Sequence, residues 1–244
     1  MTGKPHPGGP YFEAVGDLLG EAYLRYSFTK GTDQEVAFLL DLLGLASGSR
    51  LLDVGCGPGR HAVPLAQAGL AVTGVDVSRR FLEIAAERAR GSGAGAAFFH
   101  VDARQMPFED EFDAVISICQ GGFGLMGGDD STVLRRMTES ARPGGRVVLT
   151  AFSALYEASH PRADATFDVD AGVVHEPTTI KDEAGADHET DLWTSVYTPR
   201  ELRLLAIGVG LVPEAVWAVE PGGYAKRPPD LDHPELMLVA RKPQ

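Results

Sequence analysis

Between Leu51 and His61 the chain reads LLDVGCGPGRH, a short apolar run that breaks into three closely spaced glycines before a helical pattern begins. Gly55, Gly57 and Gly59 permit a tight turn whose backbone amides approach a ligand closely, at a helix N-terminus that favours an anionic group. By itself this is a weak signal, and the segments around it carry the fold reading. RLLDV (50–54), AVTGVDV (71–77), AAFFHV (96–101), FDAVISI (112–118) and RVVLTAF, which follows the turn RPGG, read as five strands. Helical segments lie between them at about Arg60 to Ala68, from a Ser78 cap to about Arg90, and at about Asp130 to Ala141. This alternation predicts βαβ units and a doubly wound, largely parallel sheet.

The flanks are of other kinds. Met1 to Pro10, rich in proline and glycine, reads as a flexible lead-in. Two helices are expected over 11–46, ahead of the first strand: Tyr11 to Phe28, and Thr32 to Leu45 with Thr32 and Glu35 as a capping box. The aromatic residues Tyr11, Phe12, Tyr23, Tyr26 and Phe28 suit either simple packing on the sheet or a lid over a ligand. Beyond Ser153 the sequence turns polar and acidic, with β-prone pieces TFDV, VVHEPTTI and HETDLWTSVY. Ala165 to Tyr197 is too short to bury a core of its own, so 153–197 reads as an antiparallel hairpin insertion within one domain spanning 11–244. Thr198, Pro199 and Glu201 start a further helix, ending near Gly208 to Gly210. LVPEAVWAV and ELMLVAR close the chain as strands joined by the loop Pro221 to Pro234.

Composition narrows the partners. Of 244 residues 44% are hydrophobic and 23% charged, which is globular, and the net charge is −12. That acidic field repels phosphate backbones, and the densest basic run, Arg135, Arg136, Arg142 and Arg146, is interrupted by Glu139, so no nucleic-acid partner is expected. Two cysteines, Cys56 and Cys119, make no disulfide framework and point to a reducing compartment. The longest apolar run, Leu204 to Val212, is about half a membrane span, and MTGKPHPGGP lacks a signal peptide's apolar stretch, so a soluble, cytoplasmic protein is expected.

Three acids share the sheet edge at which the glycine loop lies. Asp53, just before the loop, is out of place beside a pyrophosphate but suits a ligand carrying an ammonium group, as an amino-acid moiety does. Asp76, ending the second strand, is placed to accept from ribose hydroxyls. Asp102 follows the third strand. Together they outline an amino acid, a ribose and a base. Here LLDVGCGPGRH, VTGVDVS, the Asp102 segment with MPF, FDAVISICQ and RPGGRVVLT, covering roughly Leu51 to Phe152, resemble the class I S-adenosylmethionine-dependent methyltransferases of small-molecule type. The resemblance implies a Rossmann-like sheet of seven strands, the last antiparallel. It implies that Asp53 and Gly55 hold the methionine part, with Cys56, Gly57 and Gly59 completing the loop, and Asp76 the ribose. Asp102 would meet the adenine amine with Ala103 and Arg104 beside it; Val77 and Met106 would pack on the adenine ring, and Cys119, Gln120 and Gly121 would line the methionine side. The expected function is methyl transfer to a small-molecule acceptor, S-adenosylhomocysteine being the product.

Other readings have weaker support in the residues. Cys119 lacks the preceding proline seen in cytosine methyltransferases, Ile118 standing there, and reads as a pocket-lining thiol. His160, His175, His188 and His233 show no metal spacing and read as surface or satisfied side chains; no metal is expected and no catalytic base is assigned. A nicotinamide-dependent oxidoreductase would need glycine where Arg60 stands, and Tyr156 is followed by His160 rather than the lysine of a Tyr-x-x-x-Lys pair. A noncatalytic cofactor-binding module would keep the glycine loop without turnover.

Overall fold

The computed structural model describes residues 11–125 and 129–244; the expected lead-in, Met1 to Pro10, and Gly127 and Gly128 lie outside them. Five parallel strands, β1 (Arg50–Val54), β2 (Ala71–Asp76), β3 (Ala97–His100), β4 (Phe112–Ser117) and β5 (Ala141–Ser153), pair in the order β3-β2-β1-β4-β5. The hairpin strands β6 (Thr166–Asp168), β7 (Val173–Lys181) and β8 (Asp187–Tyr197) come next in the chain, then β9 (Val212–Val219) and β10 (Glu235–Arg241). β10 lies antiparallel between β5 and β9. β3-β2-β1-β4-β5-β10-β9 is thus the expected Rossmann-like seven-stranded sheet, with the last strand antiparallel. The strand order reverses between β1 and β4, and an open α/β sheet binds ligands at the carboxyl ends of strands at such a point.

Adjacent residues along the central strands enter different cores, which is what a doubly wound sheet requires. Leu52, Val115, Val147 and Leu149 pack with Val133, Leu134 and Met137 of α5 (Asp130–Ser140) and with Leu202 and Ala206 of α7 (Pro199–Gly208). Leu51, Ala114, Ile116 and Val148 pack on the other face with α2 (Thr32–Leu43) and α3 (Ala62–Gln67). Ser78 caps α4 (Arg79–Ser92) by accepting the Phe81 N–H, and Thr198 and Glu201 form the capping box of α7, both as expected.

Four local expectations need correction. The aromatic helix ends after α1 (Tyr11–Leu19), and 3-10 turns carry the chain on to Gly31. Thr32 and Glu35 form no capping box: Gly31 holds the N-cap position without a side-chain cap, and Glu35 turns inward to Arg60 and His61. The RPGG segment is a bulge within β5, where the partner of Phe112 is Ala141 but that of Ala114 is Arg146. A short helix, α6 (Ala154–Ser159), stands where only β-prone pieces were read, its start capped by Ser153.

The hairpin joins the main sheet through β8, whose Val196 and Tyr197 pair parallel with Phe152 and Ser153. It then reaches back to the N-terminal segment. Leu19, Phe81, Ile84 and Ile180 form a small separate core, with Val15, Leu18, Tyr23 and Tyr26 against it. Polar links fasten its rim: Glu183 accepts from the Glu21 N–H at 2.9 Å and from Arg80 at 2.8 Å, and the Tyr26 hydroxyl accepts the Lys181 N–H at 3.1 Å.

Candidate active site

The loop after β1 folds back on β2. The Gly55 and Cys56 amides both donate to the Val75 carbonyl, at 2.9 and 3.0 Å, and Gly57 N–H donates to the Asp76 carboxylate at 2.8 Å. Ser78 N–H donates to the other Asp76 oxygen at 2.8 Å. Gly55 has a φ of 71°, and a Cβ there would lie 2.3 Å from the Gly122 nitrogen and 2.4 Å from the Gly121 carbonyl carbon. Only glycine allows that close approach of two backbones.

The turn after β4 is the other jaw of this crevice. Cys119 and Gln120 both adopt a left-handed φ of 57°, a conformation that non-glycine residues take at a cost and that concentrates at functional sites. Thr150 on β5 holds the kink, accepting the Cys119 N–H at 2.8 Å and the Gln120 side-chain amide at 3.3 Å.

Two adjoining cavities result. The first, about 120 Å³, lies along the strand ends: Gly55, Gly57, Asp76, Val77, Val101, Ala103, Cys119 and Gly121 line it, and Phe12, Val15, Leu19 and Tyr23 cover it. Its volume is below the roughly 300 Å³ at which small-molecule pockets begin, so a nucleoside-sized ligand requires the cover to shift. The second cavity, about 480 Å³, extends beneath the hairpin, with Tyr11, Tyr26, Phe28, Phe152, Ile180, Leu192 and Glu235 in its walls. Phe12, Val15, Leu19, Tyr23, Cys119 and Leu125 belong to both, so the two cavities share one wall.

Charge is arranged beneath the loop. Asp53 is 2% exposed and its Oδ2 has no hydrogen-bond partner; burial pushes its carboxyl up to about 7 against the lowering pull of Arg60. Burial also raises Asp76, outweighing the bonds from Ser78 and Gly57. Arg60 donates to Glu35, to Thr32 and to the Cys119 sulfur, and His61 Nε2 lies 2.8 Å from Glu35. Burial lowers His61, while the His61 bond and the Arg60 charge hold Glu35 below its usual value despite burial. The network is therefore a Glu35–Arg60 ion pair with a neutral imidazole, and it braces the glycine loop against α2.

Several residues expected at the crevice do not line it. Asp53 is buried beneath the loop and lines neither cavity, Cys56 is buried with its sulfur against Gly74, and Gly59 faces Ala85 and Val63. Met106, 1% exposed, belongs to the core. Asp102 and Arg104 spend their charges on each other at 2.6 Å, with Arg104 also reaching Asp129, while Val101 and Ala103 on either side of Asp102 line the crevice. Gln120 lines the second cavity rather than the first. The four histidines near the insertion are partnered: His160 stacks on Tyr156, and His175, His188 and His233 pair with Asp191, Asp182 and Asp230. Among the described residues no group of three His, Cys, Asp or Glu is placed to hold a metal, and no helix is long and apolar enough to cross a membrane.

Residues 51–145 match the model of a family described as a methyltransferase domain. The 27-O-demethylrifamycin SV methyltransferase of Amycolatopsis mediterranei (strain S699) is 28% identical over 98% of this chain and 99% of its own. Over nearly its full length the chain is thus similar to a methyltransferase, and its residues 51–145 resemble a methyltransferase domain. Among solved structures, the CcbJ methyltransferase from Streptomyces caelestis superposes with a TM-score of 0.77 at 21% identity, over 94% of this chain and 98% of that one. The [4+2]-cyclase SpnF superposes with a TM-score of 0.69 at 20% identity over 99% of each chain, so this fold alone does not fix a reaction. Gly55, Gly57 and the Asp76 carboxylate form the cradle at the strand ends, while Asp53, with its Oδ2 orphaned, lies buried beneath the loop.

Proposed function

We propose that this methyltransferase acts on a small, largely apolar acceptor held in the second cavity, with the cofactor in the first. The wall shared by the two cavities carries this reading, because transfer needs donor and acceptor side by side in a space closed to water. The name of the Amycolatopsis relative, which describes an O-demethyl compound as its acceptor, supports a small molecule.

In this reading Asp53 and the Gly55 backbone take the methionine end, Asp76 the ribose, and Val77, Val101 and Ala103 the adenine. When bound, the cofactor supplies a methyl already activated on a sulfonium. The chain's own work is to orient the acceptor and exclude water. The segment from Tyr11 to Phe28 and the hairpin within 153–197 form the roof; its rim contacts are exposed and screened, and opening it costs the apolar contact of Leu19 with Ile180 in the small core. The test is calorimetry with S-adenosylhomocysteine followed by a methyl-transfer screen of apolar acceptors. Binding of the product together with transfer to at least one of them is expected. Binding without transfer to any would leave a noncatalytic module, and binding of a nicotinamide dinucleotide alone would support an oxidoreductase.

A further inference from the structure

Glu235 opens β10 and is held there from both sides, pairing with Phe152 of β5 and Val219 of β9. It is 3% exposed, it lines the second cavity, and its Oε2 has no hydrogen-bond partner. Gln120, in the same wall, lies near enough to favour the ionised carboxyl. Among the described residues Glu235 is the one carboxyl in a wall otherwise made of aromatic and aliphatic side chains, a few hydroxyls, Cys119 and Gln120. An unsatisfied buried carboxyl oxygen destabilises a fold, and on a residue that lines a cavity it is the group that a ligand there would satisfy.

We infer that Glu235 contacts the methyl acceptor, its free oxygen accepting the O–H of a hydroxyl on an otherwise apolar, ring-bearing molecule. This rests on the methyl-transfer reading. As the acceptor oxygen bonds to the methyl carbon, the carbon–sulfur pair goes to sulfur and the hydroxyl proton passes to Glu235, from which water later removes it. An amine fits less well, because a carboxylate would hold it as an ammonium ion without a free lone pair.

The surroundings suit that role. Burial pushes Glu235 up to about 7; Glu35 adds to the rise, while Gln120 and Arg60 oppose it. Of the other groups facing it, Cys119 and Tyr224 are themselves pushed up by burial and stay protonated near neutrality. Tyr11 and Tyr23, also raised by burial, line the same cavity and stay neutral there. Ionisation of Glu235 therefore controls how well the cavity takes a hydroxyl.

The test uses the full chain saturated with S-adenosylhomocysteine and two probes, 2-naphthol and 2-methoxynaphthalene. The unmodified chain should bind 2-naphthol at least tenfold more tightly than the methyl ether, and the preference should grow as pH rises through about 7. Glu235→Leu should bind both probes alike at every pH, and Glu235→Gln should lose the pH dependence. Both variants should keep S-adenosylhomocysteine affinity within about twofold and unfold at the same or a higher temperature, because each removes a buried orphan charge. Equal affinity for the two probes in the unmodified chain, a preference that survives in Glu235→Leu, or no saturable binding of either ring would overturn the inference. Failure of the unmodified chain to bind S-adenosylhomocysteine would instead overturn the cofactor reading beneath it.

Discussion

The two cavities meet at one wall yet are built from different materials. The cofactor crevice is shaped by backbone: Gly55 against Gly121 and Gly122, with two amides bound to Asp76. The second cavity is shaped by side chains brought from distant parts of the chain, Tyr11 and Phe28 from one end, Ile180 and Leu192 from the hairpin, Glu235 from the last strand. Backbone recognition suits a ligand that never changes. Side-chain walls can be altered one residue at a time without disturbing the sheet, which is how one fold serves many acceptors.

If that contrast is right, damage to the first cavity should be severe and specific to the cofactor. Gly55→Val should have the largest effect, because its side chain meets the opposing backbone and its positive φ is strained. Loss of S-adenosylhomocysteine binding by more than about 100-fold is expected by calorimetry, from several kcal/mol of overlap and strain. Retained affinity would show that the jaws do not close on the cofactor. Asp76→Ala comes next, at about 1.5 to 3 kcal/mol, the range for hydrogen bonds to a charged group. An unaltered dissociation constant with an unaltered circular dichroism spectrum would take Asp76 out of the site.

Asp53 gives a smaller, pH-dependent effect. Its carboxyl sits near 7 in the fold against 3.8 as the ordinary value, so the folded state holds the proton more tightly. The unliganded protein should then lose stability as pH rises from about 4 through about 7, since its unfolded state gives the proton up first. Cofactor binding should move the other way, tightening through the same window as the ammonium group gains a carboxylate partner. Asp53→Asn should flatten both curves and weaken binding near pH 8 by about tenfold, the worth of one charge-assisted bond. A pH-independent affinity in the unmodified chain would leave the orphaned oxygen without this role.

How much of this could be read from the sequence follows the same division. The glycine loop and Asp76 lie in short contiguous signals whose local geometry the residues dictate, so the crevice was legible from Gly55, Gly57 and Asp76, whereas the strand order came only with the resemblance. Where a residue's direction depends on packing, the reading failed: Cys56 and Met106 lie next to lining residues but point into the core, and Asp102 is taken by Arg104. Glu35 looked like a helix cap because Thr32 precedes it, but Arg60, far along the chain, competes for it. Glu235 did leave a trace, a single acid in front of LMLVA. Only tertiary structure shows that it is buried and faces a cavity.

The smallest expected effect is also the sharpest on where the two regions meet. Cys56 should resist alkylation with or without ligand, being buried with its thiol pushed well up, whereas Cys119 in the shared wall should react slowly and be slowed further, by a few-fold, when S-adenosylhomocysteine is bound. Equal protection of both thiols would place Cys56 in the crevice after all.

The central claim is that the strand-end crevice holds S-adenosylmethionine, and a calorimetric titration of the full chain with S-adenosylhomocysteine tests it most directly. One saturable site is expected, weakened at least tenfold by Asp76→Ala and unmatched by nicotinamide dinucleotide. No binding, or an affinity that Asp76→Ala and Gly55→Val leave untouched, would contradict it.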